Sequence, residues 1–227
     1  IVFDFANQQA EFLDEVGGWL AAGKVTYRED VVDGLARYVD YHSIHIYTGS
    51  DDYWSNVLAP HQAERSLRVC AALIERARQV QRIDRPIGIA YDEWNVWYRE
   101  RGEQSGLEEQ YNLADALAVA TYLNIFVRNC HSVRIANLAQ LVNVIAPIFT
   151  NRSGLFLQTI YHPLRLFAEH LQTVALDPTV ICETVSHADL QGGPRPQRIA
   201  DLGPFKLLDV AATRDADGRH VTLTVVN

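Results

Sequence analysis

Apolar residues along this chain follow two rhythms, helical spacing and short alternating or unbroken runs, and the two take turns. Phe12, Leu13, Val16, Trp19 and Leu20 recur at helical spacing and predict a helix over 7–22, ending near Gly23. Val31, Val32, Leu35, Tyr38 and Val39 predict a short amphipathic helix from Asp30. Residues 39–47 are rich in β-branched and aromatic types and predict a strand, with Tyr41, Ser43, His45 and Tyr47 on one side. A loop is expected over 48–59. A helix is expected over 60–80, opened by Pro60 and striped by Leu67, Cys70, Ala71 and Ile74. Residues 86–93 are apolar on both faces until the last two, the mark of a buried parallel strand. A polar loop (99–107), a helix (108–129), a strand (133–137), an irregular stretch (138–158) and a helix (161–172) follow.

After Ala175 the rhythm changes. Residues 180–185, 205–212 and 220–226 alternate apolar with polar or small side chains, and Asp215, Asp217 and Gly218 mark a hairpin turn between the last two. A Gly/Pro-rich loop over 192–196 separates the first two. Strand and helix alternate first and strands dominate afterwards, so the fold class is α/β. The expectation from the pattern is part of a parallel β/α barrel over 1–174, followed by a β region over 175–227.

Composition narrows the function classes. Hydrophobic residues make up 48% of the 227 and charged residues 21%, enough apolar material for a core. The net charge of −8 disfavours nucleic acid and anionic membrane surfaces as partners. No apolar run approaches the ~18 residues of a membrane span. Cys70, Cys130 and Cys182 are too widely spaced for a disulfide scaffold or a cysteine zinc module and read as small hydrophobes. The first residue is Ile1 and methionine is absent, so the chain reads as a stretch of something longer. The compartment is left open.

Catalytic groups of parallel barrels sit at the carboxyl ends of strands. Glu93 stands there, followed by Trp94, Trp97 and Tyr98. Carboxylates beside aromatic faces suit sugar chemistry: the carboxylate meets an anomeric carbon and the rings pack on C–H faces. The same residues also fit a loop-capping carboxylate with core tryptophans. Adjacent strand residues point to opposite sides, so only one of Asp92 and Glu93 is expected to face the mouth. Tyr47 ends the preceding strand on the face of His45, and its phenol suits a hydrogen bond to a carboxylate. Gln158, before the helix at 161, offers an amide for hydroxyl groups. His42 and His45 diverge across their strand, and no metal, Walker or dinucleotide motif is present, so no metal or cofactor is expected.

Several strings in order carry a resemblance. Ile89-Ala90-Tyr91-Asp92-Glu93-Trp94-Asn95-Val96-Trp97-Tyr98 resembles the nucleophile region of family 51 α-L-arabinofuranosidases. So do Val39-Asp40-Tyr41-His42-Ser43-Ile44-His45-Ile46-Tyr47-Thr48-Gly49 and Tyr111-Asn112-Leu113-Ala114-Asp115-Ala116-Leu117. Ala136 to Asn143, Ala146-Pro147-Ile148 and Leu157-Gln158-Thr159-Ile160-Tyr161-His162-Pro163 complete the series, with a flavour closer to fungal members. The resemblance implies a partial (β/α)₈ barrel, about strands 5/6 to 8, over 1–174, followed by the start of a β-sandwich domain over 175–227. It implies a retaining glycosidase that removes terminal α-L-arabinofuranosyl units from arabinan or arabinoxylan. Glu93 then looks like the nucleophile and Tyr47 like its hydrogen-bonding tyrosine, on the seventh and sixth strands. Gln158, Trp97 and His45 look like pocket residues, and Trp94 joins Trp97 as an aromatic platform.

One departure bears on activity. The family's acid/base is the Glu of an Asn-Glu pair at the end of the fourth strand, and no Asn-Glu occurs in these residues. Natural substrates are therefore expected to turn over poorly in this chain alone. Open strand edges lead to the expectation of marginal stability or homo-oligomerisation. Two other readings stand beside the glycosidase: a non-hydrolytic carbohydrate-binding remnant and a structural β/α domain.

Overall fold

The computed structural model describes residues 29–98, 107–190, 199 and 202–227. The helix expected over 7–22, the loop over 192–196 and most of the loop over 99–107 lie outside the described residues. Three parallel strands form the first layer: β1 (Tyr41–Thr48), β2 (Gly88–Val96) and β3 (Val133–Leu138), in the order β1-β2-β3. A short helix α1 (Glu29–Leu35) precedes β1. It is shorter than its apolar spacing suggests: Tyr38 lies beyond its end and is exposed.

The crossover from β1 to β2 carries two helices, α2 (Tyr53–Leu58) and α3 (His61–Gln81). The expected loop over 48–59 thus contains a helix. Asp52 starts it, accepting hydrogen bonds from the backbone N–H and the hydroxyl of Ser55. The crossover from β2 to β3 is α4 (Leu113–Arg128). Its N-terminus is closed by a capping box in which Asn112 and Asp115 bond each other's backbone.

Helices α3 and α4 cover one face of the sheet. Ala63, Leu67, Cys70, Ile74 and Ala77 recur along one side of α3 and meet Ile44, Ile89, Tyr91, Trp94 and Val96 from the strands. Tyr122 and Phe126 of α4 close on Trp94, each with its ring centroid 5.1 Å from the indole. An ion-pair group ties the two helices to the later strands. Burial alone would raise the Glu64 carboxyl, but the His61 hydrogen bond and the charges of Arg128 and Arg68 outweigh it and lower its pKa to about 2.

Beyond β3, the stretch expected to be irregular holds a hairpin, β4 (Ile148–Asn151) and β5 (Gly154–Leu157). Asn151 fixes its turn by accepting from the N–H groups of Ser153 and Gly154. Helix α5 (Tyr161–His170) and β6 (Val174–Leu176) follow. The strand expected over 180–185 shrinks to β7 (Thr184–Val185), paired with β8 (Phe205–Lys206). The last hairpin, β9 (Asp209–Arg214) and β10 (Val221–Val226), forms as its turn residues suggest, with Gly218 at φ +70°. Together with β6 it makes an antiparallel sheet in the order β10-β9-β6. This sheet rests on α4, where Arg128 and Asn124 both grip Asp209.

Candidate active site

The face of the parallel sheet turned away from α3 and α4 gathers the candidate residues. On β1, alternation sends Ile44 into the helix-covered core and leaves Ser43, His45 and Tyr47 on the other side. On β2 the alternation breaks. Ser43 pairs with Ala90 but His45 pairs with Glu93, and on the other flank Tyr91 pairs with Ala136 but Trp94 with Leu138. Strand β2 therefore holds one extra residue between Tyr91 and Trp94, a β-bulge. Tyr91 and Trp94 both face the helices, and Asp92 and Glu93 both face outward. This corrects the expectation that only one of the two carboxylates reaches the open face.

His45 stands between the carboxylates. Its Nδ1 lies 3.1 Å from Oε2 of Glu93 and its Nε2 lies 3.0 Å from Oδ1 of Asp92. A neutral ring donates to one of them and a doubly protonated ring to both. Ser43 donates from Oγ to the same Asp92 oxygen at 2.7 Å. The Tyr47 hydroxyl donates to Oε1 of Glu93. Both oxygens of Glu93 are thus engaged, yet its side chain keeps 38% of its surface exposed. A carboxylate approached at both oxygens and still open to solvent has a fixed orientation.

Trp97 lies at the rim, edge-on to Tyr47 with centroids 5.3 Å apart. Its backbone is drawn in by a bond from its N–H to the Thr48 carbonyl, 2.5 Å. That approach requires Gly49, at φ +152°, because a Cβ there would sit 2.7 Å from the Trp97 carbonyl oxygen.

Two sequence-predicted residues are buried. Trp94 is 1% exposed in the aromatic core, so it offers no platform to a sugar. The physical reason is the bulge, which turns it inward. The Trp94/Trp97 pair on which a purely binding protein would rely is not formed. Gln158 is 4% exposed, and its amide serves the fold. It donates to the carbonyls of Glu109 and Ala146 and accepts from the Tyr111 N–H, joining three loops. Its two amide hydrogens are both in use, so it cannot donate to a hydroxyl as the sequence suggests. Ser43 and Asp92 join the site without a role expected from the sequence. Strand periodicity finds Ser43, but nothing in the sequence marks the bulge that brings in Asp92. Among the described residues no cluster of three or more His, Cys, Asp or Glu is arranged to hold a metal ion, and no helix is long and apolar enough to cross a membrane.

Residues 92–225 match the family model of the α-L-arabinofuranosidase C-terminal domain. The chain belongs to that family. A probable α-L-arabinofuranosidase C of Aspergillus niger is 41% identical over 194 residues, covering 83% of this chain and 37% of the relative. An intracellular exo-α-(1→5)-L-arabinofuranosidase of Halalkalibacterium halodurans is 31% identical, covering 87% of this chain and 40% of its own length. The fungal relative is the more similar of the two. Among solved structures, an α-L-arabinofuranosidase from Thermotoga maritima in complex with arabinose superposes with a TM-score of 0.72 at 32% identity, covering 88% of this chain and 40% of that one. The family 51 enzyme of Thermotoga petrophila gives 0.74 at 31% identity, with the same coverage. This chain spans about two fifths of the length of these relatives, and it is the C-terminal part of a family 51 arabinofuranosidase that it resembles.

Proposed function

We propose that this chain carries the nucleophile side of a retaining α-L-arabinofuranosidase acting on terminal arabinofuranosyl units of arabinan- or arabinoxylan-type glycans. The observation that carries the reading is Glu93, held at both oxygens and facing outward from a strand end. In this reading the parallel sheet is the sixth to eighth strands of a (β/α)₈ barrel, residues up to 174, and the β6–β9–β10 sheet begins a β-sandwich.

Retention takes two displacements. One oxygen of Glu93 attacks the anomeric carbon while the leaving oxygen takes a proton, and the arabinosyl unit becomes an ester of Glu93. Water then attacks the same carbon, giving up a proton to a second carboxyl group, Glu93 leaves as carboxylate, and the arabinose released has the original anomeric configuration. Tyr47 and His45 aim the carboxylate and lower the cost of holding its charge near a sugar. Asp92 acts through His45 by fixing the ring's orientation, with Ser43 steadying Asp92 in turn. The proton donor in such enzymes is a second carboxyl ~5–5.5 Å from the nucleophile. The family's Asn-Glu pair is absent from these residues, so an aryl leaving group that needs no proton is the substrate of choice for this chain.

The test is intact-mass spectrometry after incubation with a dinitrophenyl α-L-arabinofuranoside. A gain of one arabinosyl unit in this chain, abolished by Glu93→Gln, is the expected result. Folded protein with no gain would overturn the assignment of Glu93 as a nucleophile competent in this chain.

A further inference from the structure

The tip of the β4–β5 hairpin reads Asn151-Arg152-Ser153, the one Asn-x-Ser/Thr triplet in the 227 residues. With a middle residue other than proline and a surface position, such a triplet is the acceptor signal for an N-linked glycan. Asn151, Arg152, Ser153 and Gly154 are all exposed. A triplet by itself marks only a place of attachment. The hairpin also defines what the first sugar meets there.

The Asn151 amide is already turned for attachment. Its Oδ1 accepts from the N–H groups of Ser153 at 2.8 Å and Gly154 at 3.2 Å, so the oxygen faces the turn. Nδ2 is then directed away from the turn, and among the described residues it has no hydrogen-bond partner. An amide nitrogen that carries a sugar keeps its carbonyl oxygen as an acceptor, so a glycan on Nδ2 leaves the bonds of the turn intact.

Register supplies the neighbours. Asn151 pairs with Gly154, and Phe149 pairs with Phe156. Side chains two residues apart share a face, so Asn151, Phe149 and Phe156 stand on one side of the hairpin and Thr150 and Leu155 on the other. Gly154, directly across from Asn151, offers no side chain, and nothing lies within 4 Å of the place a Cβ would take. Phe149 is half-buried, but Phe156 is 65% exposed. Phe156 sits diagonally across from Asn151, a separation of about 7–8 Å between such neighbours, which one sugar ring on Nδ2 spans. Its ring suits the C–H face of that sugar.

We propose that Asn151 is an N-glycosylation site whose first sugar lies over the open Gly154 position and covers Phe156. The co-reactant is a lipid pyrophosphate-linked oligosaccharide. Nδ2 attacks the anomeric carbon of the oligosaccharide and gives up one proton. The bond from that carbon to the phosphate oxygen breaks, and the lipid pyrophosphate leaves with the electron pair. Glu93 takes no part, and the site stands without the arabinofuranosidase reading.

The experiment is secretion of this chain from a eukaryotic host behind a cleavable secretion signal, followed by intact-mass spectrometry before and after an amidase that removes N-linked glycans. A glycan mass lost on treatment, with Asn151 converted to Asp in the released peptide, is the expected result. Ser153→Ala is expected to abolish the glycan and Ser153→Thr to keep it. The glycosylated protein is expected to melt about 2–4 °C above Ser153→Ala. Trimming the glycan to its first sugar should keep that gain, and Phe156→Ala should remove it. Folded, secreted protein with a bare Asn151 would overturn the site. A glycan that leaves the melt unchanged, or whose gain survives Phe156→Ala, would overturn the seat on Phe156.

Discussion

The two faces of the parallel sheet are made by the same strands and have opposite chemistry. On the covered face Tyr91, Trp94, Ile44 and Ile89 share one hydrophobic core with side chains of α3 and α4. On the open face Ser43, His45, Tyr47, Asp92 and Glu93 are polar, part-exposed and hydrogen-bonded to one another. Four successive residues, Tyr91 to Trp94, supply two members to each. In a regular strand the split would be one by one, with a carboxylate driven into the aromatic core at the cost of its hydration. The bulge removes that conflict and doubles the charge on the open side. In the proposed reading stability resides on one face and chemistry on the other, and substitutions should separate the two.

The largest effect is expected from the covered face. Trp94→Ala should cost about 3–5 kcal/mol of folding stability by opening a cavity beside Tyr122 and Phe126. Denaturant unfolding measures it, and a loss below about 1 kcal/mol would mean that the indole is not a core residue. Acid should loosen the same face next. Glu64, depressed to about 2, ties α3 to Arg128 of α4. A depressed carboxyl adds stability that is complete above its ordinary value near 4.5 and disappears as pH falls toward 2. Across that window the native melting temperature should fall more steeply than that of Glu64→Gln, a difference on the order of 2–3 kcal/mol. Parallel pH–melting curves would refute it.

The open face should respond in rate and not in stability. Tyr47→Phe removes a hydrogen bond to an ionised carboxylate, worth about 1.5–3 kcal/mol, and should slow adduct formation by about 10- to 100-fold with the melt unchanged. Asp92→Ala should have the smallest effect, roughly tenfold or about 1.4 kcal/mol, because it releases only the orientation of His45. Time-resolved mass spectrometry reads both. An Asp92→Ala protein that labels at the native rate would remove Asp92 from the site.

Much of this was legible in advance. The stripe on α3 and the β-rich run of β1 are strong periodic patterns, and the placing of Ser43, His45 and Tyr47 on one side follows from period two alone. The failures cluster where one residue outweighs periodicity. A single extra residue in β2 reverses Trp94 and aligns Asp92 with Glu93, and pairing register is a property of two strands that neither segment displays by itself. The α2 helix depends on Asp52 as a cap, and the β4–β5 hairpin on Asn151, each a local hydrogen bond that outweighs a weak pattern. Gln158 reads as a ligand because an amide before a helix carries no sign of where its partners lie, and two other loops, at 109–111 and at 146, claim it.

Helix α4 has two clients. One side presents Tyr122 and Phe126 to the parallel sheet. Elsewhere on the helix Asn124, fully buried, holds Asp209 and accepts from Thr224, while Arg128 forks onto Asp209 and reaches the Val210 carbonyl. Buried, charge-assisted bonds of this kind cannot be opened on one side without stranding the other. The antiparallel strands are for that reason not an appendage that can fray while the site stays intact. Protection against hydrogen exchange in β9 and in α4 should collapse together, in a single cooperative unit that extends across any boundary drawn at residue 174.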